Sequence, residues 1–197
     1  MMTIGLNASP VVGSSCEMLV RRVLEGAASA GSKTLMFNLN DLDILPCQSC
    51  GESPYPMNCF YNDSMDEIYK WLIEGDIIVF GSPVYFDTVS AQAKLLIDRC
   101  NCLRPAIFPT GSESSPEGVK FLDRGLKKRK GVIILSGGQR QKFDCARTVI
   151  KGFFKWINIV FAGEIDMRGN SLRAGLAVER PELPEVAFAL GKMLAGG

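Results

Sequence analysis

The groups in this chain that could do chemistry are hydroxyls, thiols and aromatic rings, because its 197 residues include no His. Imidazole base catalysis and His-containing zinc sites are thereby excluded. Ser9, Ser14 and Ser15 fall in one short stretch, Ser9-Pro10-Val11-Val12-Gly13-Ser14-Ser15-Cys16, between an apolar run and a helical pattern. A helix start of this kind offers unpaired N–H groups and the positive end of the helix dipole, and the hydroxyls add donors, so a phosphate could be held there. The alternative is that Ser14 or Ser15 only caps the helix. No Gly-x-Gly-x-x-Gly and no Gly-Lys-Ser/Thr occurs, which removes the dinucleotide fingerprint and the nucleoside-triphosphate loop. Cys16 and Arg22 have the Cys-x5-Arg spacing of a nucleophilic thiol and its phosphate-wrapping loop. Glu17 to Arg21 contain no Gly and read as helix, so that spacing is accidental.

A second chemical stretch runs from Asp76 to Phe86. Ile77 to Phe80 is an unbroken β-branched and aromatic run, the composition of a strand buried on both faces. Gly81-Ser82-Pro83 reads as its stop, after which Val84, Tyr85 and Phe86 stand at its carboxyl end, either packed inward or bordering a ligand. Ser136-Gly137-Gly138-Gln139 reads as a similar turn after Val132–Leu135. Cys47, Cys50 and Cys59 lie among Pro46, Pro54 and Pro56. Cys47-x-x-Cys50 could be half of a metal or cluster site, but a fourth soft ligand is missing nearby, so no metal is assigned and the stretch reads as a covering loop with free thiols.

The elements that must position these groups alternate in type. Strands are expected at Thr3–Ala8, Thr34–Leu39, Ile77–Phe80, Val132–Leu135 and Asn158–Met167, and helices at Cys16–Ala30, Asp63–Glu74, Ser90–Cys102, Gln141–Trp156 and Pro181–Leu194. Five strands alternating with helices imply a parallel α/β sheet covered on both faces. Residues 1–197 read as a single domain with an irregular Cys- and Pro-containing insertion at about 40–62.

Composition narrows the function classes. With 47% hydrophobic residues, 22% charged and a net charge of +1, nothing favours nucleic acid or an anionic membrane. The basic run Lys127-Lys128-Arg129-Lys130 reads as a solvated strand entrance that could also attract an anionic cosubstrate. No run approaches the roughly 18 apolar residues of a spanning helix, the start lacks a secretion signal, and seven Cys suit a reducing compartment. A cytoplasmic location is expected.

Taken together, Ser9-Pro10 with Gly13-Ser14-Ser15-Cys16, Asp63-Ser64-Met65, Gly81-Ser82-Pro83-Val84-Tyr85-Phe86 with Ser90–Lys94 and Asp98-Arg99, and Ser136-Gly137-Gly138 resemble one family. This is the flavodoxin-like NADPH-dependent FMN reductase / NAD(P)H oxidoreductase family, in particular the branch related to iron–sulfur flavoproteins. The resemblance extends to about residue 170, and the central block is its most specific part. It implies a three-layer sandwich with a five-stranded parallel sheet in the order 2-1-3-4-5 and FMN at the switch point between strands 1 and 3. Ser9, Ser14, Ser15 and Cys16 are then implied phosphate ligands. Ser82, Pro83, Val84, Tyr85 and Phe86 border the isoalloxazine, and Ser136, Gly137 and Gly138 close its other side. Cys16 stands where the family commonly has Thr, a better donor than a thiol. Where the iron–sulfur relatives bind a cluster with a compact run of cysteines, Ser53 follows Cys47 and Cys50 at the same spacing, so a [4Fe-4S] cluster is not expected.

The activity implied is hydride transfer from NADPH or NADH to FMN, and on to a quinone, flavin or similar small-molecule acceptor. The alternative is an FMN-containing, iron–sulfur flavoprotein-like electron-transfer protein, with or without a cluster, that lacks its own NAD(P)H reductase activity. Such carriers are typically strongly acidic, which a charge of +1 does not match. A fold relative that has lost flavin is the third reading. Phe86, Ile107, Phe108, Tyr55, Met57, Phe60 and Tyr61 fall outside regular elements, so a homodimer or homotetramer with the flavin site at a subunit border is expected.

Overall fold

The computed structural model describes residues 1–50, 58–104, 126–169 and 179–197, together with the backbone of 106–107 and 120–121. Five long strands, β1 (Met2–Asn7), β2 (Lys33–Asn38), β3 (Ile77–Tyr85), β5 (Arg129–Gly138) and β6 (Ile159–Gly169), form one parallel sheet in the order β2-β1-β3-β5-β6. Counting only these, the order is the 2-1-3-4-5 expected. A sixth, two-residue strand, β4 (Thr88–Val89), folds back antiparallel on the end of β3. Ala106–Ile107 and Lys120–Phe121 pair as a separate short ribbon.

Alternation along the buried strands divides the core into two layers. Ile78, Phe80, Ile133 and Leu135 face α2 (Met65–Glu74), α3 (Ala91–Arg99) and α4 (Asp144–Trp156). Ile77, Val79, Val132 and Ile134 face α1 (Ser15–Ser29) and α5 (Leu183–Gly196). The result is a three-layer sandwich. α1 and α5 approach until their backbones touch: a Cβ on Gly26 would lie 2.0 Å from the carbonyl oxygen of Phe188, and one on Gly191 would lie 1.9 Å from that of Val23.

Two expectations are corrected. Gly81-Ser82-Pro83 does not stop β3, which runs on to Tyr85, with Pro83 in register with Ser136. Gly81 serves the helix contact, since a Cβ there would meet Val20 Cγ2 at 2.5 Å and Cys16 Sγ at 2.8 Å. Pro83 is tolerated because β1 has already ended opposite Gly81, leaving that side of β3 without a ladder partner. The chain turns instead at Phe86 and Asp87, both with positive φ, in a two-residue hairpin closed by Tyr85 and Thr88. Likewise Ser136, Gly137 and Gly138 are the last residues of β5, paired with Met167, Arg168 and Gly169, and not a turn.

The insertion is irregular as expected: a 3₁₀ turn at Leu39–Asp41 is followed by no helix or strand among the described residues before Met65. Its ends are tied together. Asp63 accepts the N–H of Leu45 at 3.0 Å and of Met65 at 3.0 Å, and Arg99 donates to Asp63 Oδ1 at 3.1 Å and to the Leu45 carbonyl at 2.8 Å. Both side chains of this ion pair are buried.

Candidate functional site

A parallel sheet whose connections leave its centre in opposite directions opens a crevice at the carboxyl ends of the diverging strands. Here that point lies between β1 and β3. A cleft of about 210 Å³ is found there, lined by Ser9, Val11, Ser14, Ser15, Pro83, Val84, Tyr85, Ser136, Gly137, Gly138, Gln141, Met167 and Gly169. Among the described residues no lining side chain carries a charge.

One wall is the β1–α1 turn. Ser14 is the N-cap of α1, its hydroxyl accepting the N–H of Glu17 at 3.2 Å. Ser9 Oγ accepts the N–H of Val11 at 3.2 Å, and Gly13, with φ +69, allows the chain to double back. Ser15 and Cys16 open the first helical turn, where N–H groups have no carbonyl one turn earlier in the helix. Glu17 accepts the N–H of Gly13 at 2.9 Å on the side away from the cleft and is paired with Arg21 at 2.8 Å. The wall therefore presents to the cleft hydroxyls and the positive end of a helix dipole, and among the described residues no lysine or arginine lines it. Such a cradle suits a phosphate held by neutral donors.

Pro83, Val84 and Tyr85 form the second wall as the end of β3, and Ser136–Gly138 the third. The third is braced from behind: Gln141 Oε1 accepts the Gly138 N–H at 2.6 Å, its own N–H returns to the Gly138 carbonyl at 3.1 Å, and Arg168 donates to the Gln141 carbonyl at 2.7 Å while lying 3.9 Å over the Phe143 ring. A Cβ on Gly137 would collide with Gln141 Oε1 at 2.4 Å, so this wall stays flat.

Of the residues singled out from the sequence, the cleft brings together Ser9, Ser14, Ser15, Pro83, Val84, Tyr85, Ser136, Gly137 and Gly138. Three lie off its lining. Cys16 is fully buried beneath the wall, where burial pushes its thiol far up against the smaller pull of a hydrogen bond with Ser136. Ser82 is buried, donating to the Pro83 carbonyl at 2.8 Å and accepting the Ser90 N–H at 3.1 Å. Phe86 projects from the hairpin into solvent. Burial, and secondarily Cys16, raise the Tyr85 phenol, which stays protonated.

Val11, Gln141, Met167 and Gly169 line the cleft without having been singled out. The signal for Met167 and Gly169 was available, since every parallel strand points its carboxyl end at the same crevice. The basic run is at the opposite end of the sheet. Lys127 pairs with Asp76 at 2.6 Å, Arg129 is buried, and Lys130 donates to the Leu194 carbonyl at 3.1 Å. Cys47 is half-buried, Cys50 exposed and Cys59 buried; among the described residues no three potential ligands gather as a metal site would need. Ser53 lies outside the described residues.

Comparison with known proteins bears on the family and the fold. A family model described as NADPH-dependent FMN reductase matches residues 1–166. An iron-sulfur flavoprotein of Methanosarcina thermophila is 29% identical over 172 residues, covering 87% of this chain and 80% of that protein. An iron-sulfur flavoprotein of Methanocaldococcus jannaschii is 40% identical over 104 residues, which are 53% of this chain and 54% of that relative, so the match spans about half of its length. Among solved structures, NAD(P)H:quinone oxidoreductase from Methanothermobacter marburgensis superimposes with a TM-score of 0.63 at 14% identity, over 100% of this chain and 96% of that one. At that identity the likeness speaks for the fold.

Proposed function

The chain belongs to the NADPH-dependent FMN reductase family, and from that premise we propose that it is an FMN-dependent NAD(P)H oxidoreductase that passes reducing equivalents to a quinone, a flavin or a similar small acceptor. The observation that carries this reading is the uncharged cleft at the β1–β3 switch point, with a serine-rich helix start on one side and the flat ends of β3 and β5 on the other. Ser9, Ser14, Ser15 and the first N–H groups of α1 would hold the FMN phosphate. Pro83–Tyr85 and Ser136–Gly138 would border the ring. Bound there, FMN supplies the electron chemistry. The overall exchange is NAD(P)H, a proton and a quinone giving NAD(P)⁺ and a hydroquinone. This chain's residues would orient the reactants; the high thiol of Cys16 and high phenol of Tyr85 leave both neutral, so neither competes with an anionic cofactor.

The relatives' name favours one second reading, an electron-transfer protein carrying an iron–sulfur cluster. The thiols do not fit one. Cys47, Cys50 and Cys59 are three thiols in the insertion where a cubane cluster takes four. No step is routed through a cluster. The cytoplasm is the compartment that fits seven cysteines; among the described residues no helix is long and apolar enough to cross a membrane.

The test is a visible spectrum of protein purified without oxygen and supplied with FMN, recorded before and after NADPH, with iron and acid-labile sulfide assayed on the same sample. Flavin bands that travel with the protein and bleach on adding NADPH, with iron well below stoichiometric, are expected. Stoichiometric iron with a flavin that NADPH leaves oxidised would establish the carrier instead.

A further inference from the structure

We propose that Phe86 determines specificity for the electron acceptor by offering its ring face to a planar aromatic molecule at the mouth of the cleft; this rests on the FMN reading above. Phe86 is 98% exposed and has φ +50, at the first central position of a turn whose second residue, Asp87, has φ +60. Hairpin turns with two left-handed residues take Asn-Gly or Asp-Gly by preference, and a bulky side chain is poorly suited to the first position. The backbone conformation and the hydrophobic effect both disfavour Phe here. The turn is nevertheless well anchored: Val84 pairs with Val89, Tyr85 with Thr88, and the Asp87 carboxylate accepts the Lys142 N–H at 2.8 Å, linking the tip to the segment behind the third wall of the cleft. A bulky residue kept in a sparsely populated backbone region with its ring in solvent, one position beyond the cleft-lining Tyr85, points to a contact with something outside the fold.

Size decides what that contact is. One aromatic ring buries about 150–250 Å², whereas a stable protein interface needs about 800 Å² from each partner. A single planar molecule is the match. The cleft, about 210 Å³, is also below the roughly 300–1,000 Å³ of a complete small-molecule site. A flavin anchored by its phosphate at α1 would therefore leave part of its ring at the mouth, beside Tyr85, where an acceptor must approach. Phe86 forms and breaks no bond in the exchange; it stacks.

The experiment compares wild type with Phe86→Asn and Phe86→Tyr, all loaded with FMN, using NADPH as donor and either menadione or ferricyanide as acceptor. Menadione is planar and aromatic; ferricyanide, two of which are reduced per NADPH, offers no ring. In Phe86→Asn the ratio of kcat/KM for menadione to that for ferricyanide is expected to fall about tenfold, the loss of one stacking contact. Phe86→Tyr should restore it, and the melting temperature of Phe86→Asn should rise by about 2–4 °C as the turn relaxes. An unchanged ratio overturns the proposal while leaving the FMN reading intact. So does loss of FMN from Phe86→Asn, which would make Phe86 a cofactor contact, or a change in its sedimentation, which would make it a subunit contact. A wild-type protein that takes up no FMN overturns both.

Discussion

The β1–α1 turn is where single residues decide whether a phosphate can be held. Ser15 opens α1 and lines the cleft, with no basic side chain beside it to offset an added charge. Ser15→Asp puts a carboxylate against the phosphate of FMN, and FMN affinity should fall at least tenfold, about 1.4 kcal/mol or more, when measured by flavin fluorescence titration. Wild-type affinity in that variant would move the phosphate elsewhere. The hydroxyls of this turn were legible in the sequence as donors at a helix start. What went unread was Ser14-x-x-Glu17, the signature of a reciprocal cap, although the pattern lay in plain view. Its glutamate takes the Gly13 N–H, while Ser9, Ser14 and Ser15 line the cleft. Cys16 is implied as a ligand only by the family resemblance, in which its place is commonly a Thr. A helix rotates successive side chains by about 100°, which carries Cys16 into the core while Ser15 faces the cleft.

Among the elements, a buried ion pair joins the two described ends of the insertion. Burial alone would raise the Asp63 carboxyl, but the Arg99 guanidinium and the N–H groups of Leu45 and Met65 hold it below the ordinary carboxylate range. A carboxyl lowered in the folded state stabilises fully above its unfolded value, about 3.9, and loses that contribution as pH falls through the lower folded value. Asp63→Asn leaves Arg99 buried and unpaired, so denaturant unfolding near neutral pH should show a loss of about 3–5 kcal/mol. The gap between variant and wild type should close only in strong acid. A variant of wild-type stability would show that the pair does not hold the insertion. No short sequence pattern announces this clamp, since Asp63 and Arg99 are 36 positions apart. The misread stop in β3 has a related cause: Gly, Ser and Pro in succession imitate a turn, whereas each answers to a distant partner, namely α1, Ser90 and the end of β1.

For the whole molecule, a parallel sheet covered on both faces followed from the alternation of strands and helices, because parallel strands need crossovers and crossovers need helices on both faces, while the strand order followed from the family resemblance. Assembly does not follow from such a rule, and the expected interface changes once the fold is known. Tyr61, expected to be left uncovered, lies with its ring 4.9 Å from the Arg99 guanidinium, while Phe60 is 45% exposed; Tyr55, Met57, Phe108 and the side chain of Ile107 lie outside the described residues. Further exposed apolar side chains stand on one edge of the sheet and the helix beside it. Val160 and Phe161 lie on β6, and Val186 and Met193 on α5, which packs beside β6. β6 is an 11-residue edge strand with no partner among the described residues on its outer side, a surface that soluble proteins normally cover. We infer a homodimer or homotetramer closed through this edge, and since Met167 and Gly169 at its carboxyl end line the cleft, the flavin site would still border the interface. Sedimentation and NADPH oxidation followed together on dilution should show activity falling as the oligomer dissociates. Phe161→Lys, which places a charge on the proposed seam, should shift that dissociation to higher protein concentration by tenfold or more. A monomer with full specific activity ends the idea.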